Sequence, residues 1–360
     1  MNVIIHKFQV ARASRMRGDS GFTLVELMIA LVLGLVIIGG VISVFLANKQ
    51  SYRTNEALSQ VQDHGRTAFE FLARDIRMAG LTGCGNTGRV ANVLNDGPAA
   101  GGTEWYSDLS DAVRGFDGGQ GGASVDIGTA EGERVNDTDM IQLMGVDGNT
   151  FSIEQHKFAS AQFKINEPTT TLVNNDIVVV CDPDHAAVMQ ITSYNSNNVT
   201  VVHNTGQGEP GNCSKGLGFP TKCACSETGQ TPPACVNDTV GAQYEFGKNS
   251  QLAKLAASAW YIGNNPANGR SLYRASLTNL SGTLTTQPTE MVRNVTDMQL
   301  AYHEAGQDSF VGAGSVGNWL SVDAVRVILT LQSEQPRAGT DQQALSRTLS
   351  TTVTIRNRVN

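Results

Sequence analysis

The chain has 360 residues, enough for one large domain or two modest ones, and 40% of them are hydrophobic while only 16% are charged. Its net charge of −7 is unevenly placed: residues 1–21 hold Lys7, Arg12, Arg15 and Arg17 against Asp19, and the rest carries 22 basic and 32 acidic residues, a net of −10. An acidic body of that kind is excluded as an electrostatic binder of nucleic acid.

The first predicted element comes directly after the basic cluster. From Phe22 to Ala47 only Thr23, Glu26 and Ser43 are polar. As a helix this stretch is about 39 Å long, enough to cross a bilayer with some tilt. The positive-inside rule then leaves the N-terminus in the cytoplasm and exports the C-terminal body. A secretory signal has an apolar core of only about 7–15 residues, so this core is too long for one. A plain anchor fits the length but leaves Glu26 unexplained. An ionisable group at membrane depth is expensive and marks function when a partner can be named.

The stretch "SGFTLVELMIALV" resembles the prepilin cleavage site of the type IV pilin family, in which a short basic leader ends in Gly before Phe and a "TLVEL" run. The resemblance implies that a prepilin peptidase cuts between Gly21 and Phe22 and that Phe22 is N-methylated. It makes Glu26 the fifth residue of the processed chain. In the family's filaments that carboxylate pairs with the N-terminal amine of a neighbouring subunit, which makes Glu26 an assembly residue here. In low dielectric such a pair is strong, and an unpaired charge is penalised.

Beyond the apolar run, Leu58, Val61, Gly65, Ala68, Leu72, Ile76 and Ala79 recur at helical spacing and mark one face. The spacing predicts one continuous helix from about Phe22 to Ala79, its second half seated on the chain's own sheet. Gly80 and Gly83 stop the pattern. From Gly80 to Gly132 there are 14 glycines, which predicts loop with short strands at most. Strand signals rich in Val and Ile, bounded by Asn, Asp and Gly, then recur at 139–146, 175–182, 187–194 and 198–203. They return at 258–265, 270–277, 291–306, 323–333 and 348–359. Together these predict an α+β fold in which a long N-terminal helix packs on a mainly antiparallel sheet domain.

"EFLARDIRMAG", "NVTDMQLAYHEAG", "VDAVRVILTLQSEQ" and "STTVTIRNR" resemble segments of the PilW family of type IV pilus minor pilins. That family has a lollipop-like pilin fold. The resemblance implies a subunit that helps to start pilus assembly, in a priming or tip complex. Its partners would be prepilin peptidase, other minor and major pilins, a large tip adhesin and the inner membrane. It implies neither an enzyme nor a cofactor. The expected organisation is a leader over 1–21, a membrane or filament-core helix over 22–47 and an amphipathic helix over 48–80. Next come a Gly-rich connection over 81–136 and a β-sheet head over 137–360, the head with a Cys-rich insertion over 203–250. The head would face the periplasm and then the pilus surface. A pseudopilin of type II secretion, or a tip-binding module using the Cys-rich segment, are the alternatives.

Six cysteines, Cys84, Cys181, Cys213, Cys223, Cys225 and Cys235, in an exported body point to disulfides. The last four have the spacing C-x9-C-x-C-x9-C, which lacks the close pairs of a zinc site. Cys223 and Cys225 are too close to join each other without strain and are expected to reach Cys213 and Cys235, in an order left open. Cys84 and Cys181 would form the third bond. Catalytic patterns are scarce. Gly312, Gly314 and Gly317 match G-x-G-x-x-G but lead into a strand, which fails the dinucleotide context and reads as a turn. Asp182, Asp184 and His185 in "CDPDH" could hold a cation, but a polar turn is the preferred reading. His64, His156, His203 and His303 are scattered, and no catalytic or metal residue is assigned.

Overall fold

The computed structural model describes residues 21–84, 89–100, 102, 104–109, 112–122, 124–206, 208–223, 240–339 and 341–358. It divides into two units, residues 1–55 and 56–360. A single helix, α1 (Leu24–Met78), contributes to both. Its start lies two residues after the expected one, because Thr23 caps it.

In the first unit the helix presents large apolar side chains on all sides, and its apolar span has no buried residue. It is long and apolar enough to cross a membrane. In the second unit α1 becomes amphipathic and buries Ala57, Val61, Gly65, Ala68, Leu72, Ala73 and Ile76. Ala57 takes the place the spacing gave to Leu58, which is only half-buried. Where the helix needs close approach it uses glycine: a Cβ on Gly65 would fall 2.5 Å from Leu349 Cδ1.

The head is built from β1 (Val90–Asn92), β2 (Val113–Phe116), β3 (Met140–Lys157), β4 (Gln162–Ile165), β5 (Ile177–Cys181), β6 (Ala186–Gln190), β7 (Ser193–Asn195) and β8 (Thr200–Val202). It continues with β9 (Gln251–Asn264), β10 (Arg270–Leu280), β11 (Thr283–Arg293), β12 (Val295–Glu304), β13 (Phe310–Val311), β14 (Val322–Gln332) and β15 (Ser346–Thr354). Among the described residues these form two sheets. The larger has the path β1-β6-β5-β9-β3-β4-β8-β7, with the hairpin β10–β11 on β9 and β2 on β3; the smaller has the order β13-β12-β14-β15. Pairing is antiparallel except β1 on β6.

One core joins the helix to both sheets. Val61, Ala68, Leu72 and Ile76 pack with Ile141, Leu143, Trp260 and Ile262 of the larger sheet and with Val325, Val327, Leu329 and Leu331 of the smaller. The fold is therefore the α+β arrangement expected. The Gly-rich connection does carry two short strands, β1 and β2. The apolar run 291–306 is two strands rather than one: Asn294 adopts a left-handed φ of 61° and breaks it between β11 and β12, which lie in different sheets.

Candidate functional site

The residues flanking the expected cleavage point lie outside regular structure. Gly21 has open space around its Cα, and Phe22 is 87% exposed. Helix α1 then begins with a reciprocal cap. The Thr23 hydroxyl accepts the Glu26 backbone N–H at 3.2 Å, while Glu26 Oε2 accepts both the Thr23 backbone N–H and the Thr23 hydroxyl at 3.0 Å. This is a capping box, which satisfies donors the helix start would leave unpaired and sets a negative charge at its positive end. Its sequence signal is the T-x-x-E spacing inside "GFTLVEL", which a reading of Glu26 as a lone intramembrane charge overlooks. Further along, a Cβ added to Gly34, Gly39 or Gly40 would meet nothing.

The other end of α1 is fastened to the head by polar bonds. Asp75 Oδ2 accepts the Trp260 indole N–H at 2.9 Å, the Arg274 Nε–H at 2.7 Å and the Ser258 hydroxyl at 3.5 Å. Register explains the convergence: Trp260 on β9 lies opposite Arg274 on β10, so both reach one carboxylate on the helix. Beside it lies a cavity of about 350 Å³, lined in part by Phe71, Arg74, Met78, Gly145 and Met291. After the helix, the Gly80 N–H donates to the Met144 carbonyl at 2.7 Å, and the Gly80 carbonyl accepts from Asn357 Nδ2 at 2.7 Å. Gly80 has a φ of +76°, the left-handed conformation that favours glycine after a helix.

Four of the six cysteines are placed. A disulfide joins Cys84, just past α1, to Cys181 at the end of β5, with a Cα separation of 5.8 Å. A second joins Cys213 to Cys223. Cys225 and Cys235 lie outside the described residues, so the remaining part of the expected pairing does too.

The weaker candidates are engaged within the chain. Asp182 Oδ1 accepts the N–H groups of Asp184 and His185 at 2.9 and 2.8 Å, Asp182 Oδ2 accepts the Tyr244 hydroxyl at 2.8 Å, and Asp184 pairs with Arg89 at 3.0 Å. Among the described residues no group of three His, Cys, Asp or Glu is arranged to hold a metal. The glycines at 312–317 do make a small anion cradle, and its occupant is internal: the Ala313 and Gly314 N–H groups each donate to the Asp117 carboxylate at 2.8 Å. This ties the Gly-rich connection to the turn before β14. The same connection is organised by Arg134, fully buried, whose guanidinium donates to the carbonyls of Thr138, Gln120 and Asp117. Sequence pattern alone gives no sign of that role.

Comparison with known families matches both ends of the chain. Residues 16–42 match the family described as the prokaryotic N-terminal methylation motif. Residues 259–358, from within β9 to the turn after β15, match the family described as type IV pilus-assembly protein W. A search of curated proteins returned no match.

Proposed function

We propose that the chain, which matches the N-terminal methylation motif near its start and the type IV pilus-assembly protein W family over residues 259–358, is a PilW-like minor pilin which helps to initiate type IV pilus assembly in a priming or tip complex. Prepilin peptidase cuts between Gly21 and Phe22, and Phe22 is N-methylated. Before assembly the apolar half of α1 holds the subunit in the inner membrane, with the basic leader on the cytoplasmic side. The observation that carries this reading is the burial pattern of one helix: its first half is apolar and exposed on all sides, and its second half is built into the head. A side chain set exposed to that extent needs lipid or other helices around it.

Glu26 is the assembly residue in this reading. The carboxylate is satisfied by Thr23 within its own chain. Cleavage creates a cationic amine on Phe22, and in the filament a neighbouring subunit's amine offers Glu26 a charged partner. The gain from pairing favours docking in register. The role is structural and not enzymatic. Cross-linking or pull-down of the full chain from cells that assemble pili tests the proposal: recovery of other pilins supports it, and recovery of secretion pseudopilins instead contradicts it.

A further inference from the structure

Beside β3, β4 and β8 the head buries a cluster of aromatic rings that contains two histidines. His156 on β3 stacks on Phe163 of β4, its register partner, with ring centroids 4.0 Å apart and planes 12° from parallel. His203, just after β8, lies 5.2 Å from Phe163 and 5.7 Å from His156. Phe246, from the segment that leads into β9, closes the cluster 5.9 Å from His156. His156 is 2% exposed and His203 is fully buried.

The hydrogen bonding fixes what these rings can be. His156 Nδ1 accepts the Phe246 backbone N–H at 3.1 Å, so its proton sits on Nε2, and Nε2 has no partner. Neither ring nitrogen of His203 has a partner. A metal at His156 Nε2 would require the proton to move to Nδ1, which breaks the bond from the Phe246 N–H. A proton can reach His156 only at Nδ1, which means breaking the bond to Phe246. Three orphaned nitrogens in an apolar core make the closed state costly even at neutral pH.

We propose that this cluster is an acid-sensitive latch: protonation of His156 and His203 expels both rings, releases Phe246 and opens the β3–β4–β8 side of the head. The inference is independent of the pilus reading. The surroundings give the charged forms little support: the two rings repel each other when charged, and only His203's own backbone favours its protonated ring. Phe163 faces both rings from β4. Its neighbour Lys164 pairs instead with Glu154 of β3 at 3.3 Å, and both of those side chains are about half exposed. From residues 208–223, Lys215 adds a positive charge that opposes protonation of His203. From residues 240–250, Phe246 faces the rings. It is backed by Tyr244, whose hydroxyl bonds to Asp182, and by His185, which stacks on Tyr244 at 4.1 Å. Burial pushes His156 down to about 4 and His203 down to about 3.

Both folded values lie below the ordinary 6.5, so the closed state is favoured above that pH and loses ground as pH falls through it. Each histidine costs the closed state a factor that approaches tenfold per pH unit below pH 6.5 and amounts to about fifteenfold between pH 6.5 and 5. Hydrogen exchange of the full chain in detergent, corrected for the intrinsic pH dependence, reads this directly. Peptides covering 153–165 and 240–252 are expected to lose protection by at least that factor from pH 6.5 to 5, while peptides covering 325–331 hold theirs. His203→Phe, which removes two orphaned nitrogens, should match or exceed wild-type protection at pH 7 and show a weaker pH dependence. Unchanged wild-type protection at pH 5, or equal loss across the head, overturns the latch whether or not the variant folds. A variant that tracks the wild-type curve overturns it as well.

Discussion

Thr23 and Glu26 cap α1 reciprocally, each accepting a hydrogen bond from the other's backbone N–H, at 3.2 and 3.0 Å. In the proposed assembly two roles meet in one carboxylate, a local cap and a charge available to a neighbouring subunit. Glutamine can close a capping box but carries no charge. Glu26→Gln should keep the helix start and cleavage at Gly21–Phe22. It should still reduce incorporation into pili by about tenfold or more, equivalent to a loss of ~1.4 kcal/mol per subunit. Sheared pilus fractions probed for this subunit measure it. Wild-type incorporation of Glu26→Gln, with loss in Glu26→Ala, would assign the role to the cap instead.

Asp75 fixes the other end of the helix. Its side chain is 20% exposed and that of Arg274 is 32% exposed, so the pair is sheltered. Asp75→Ala strands the Trp260 N–H and the Arg274 Nε–H and should cost about 1–3 kcal/mol. Asp75→Asn keeps an acceptor and should cost less. Urea unfolding of the head, tracked by Trp fluorescence, compares the two.

The Cys84–Cys181 bond closes a loop across a sequence separation of 97. In the chain-entropy account such a closure contributes about 4–5 kcal/mol, with measured gains often smaller. Replacing both cysteines by serine should lower the melting temperature markedly under oxidising conditions. Under reducing conditions the difference should vanish.

His303 has the opposite pH behaviour to the buried pair. Its Nδ1 faces Asp323 Oδ1 at 2.6 Å and its Nε2 faces the Gln307 carbonyl at 2.7 Å. Two acceptors require both nitrogens to donate, which holds the ring in its charged form. Bonding to Asp323 and then to Gln307 raises its pKa above 6.5. Its contribution is complete below that value and is lost as pH rises through the raised folded value. Thermal melts of wild type and His303→Gln should converge as pH rises from 6 to 9.

The long helix, the sheet class and the processing motif are legible in the sequence because each is local: an unbroken apolar run, a 3.6-residue stripe, a dense short motif. The capping box is equally local and is written in the same seven residues. What the sequence hides is long-range. Asp75 and Trp260 are 185 positions apart, and only the register of β9 with β10 brings Arg274 to the same oxygen. The split of 291–306 turns on Asn294, one residue that tolerates a left-handed backbone between two strand-forming runs. The 312–317 glycines carry a nucleotide-like spacing, yet Asp117, almost 200 residues earlier, fills their cradle.

The proposed maturation removes the leader before Phe22 and leaves the apolar helix in place. Intact mass and N-terminal fragmentation of the protein purified from cells with an active prepilin peptidase test it most directly. The expected product begins at Phe22 and carries one methyl group on its N-terminal nitrogen, with residues 22–47 retained. A chain that still begins at Met1 in those cells, or one cut beyond the apolar run, would contradict it.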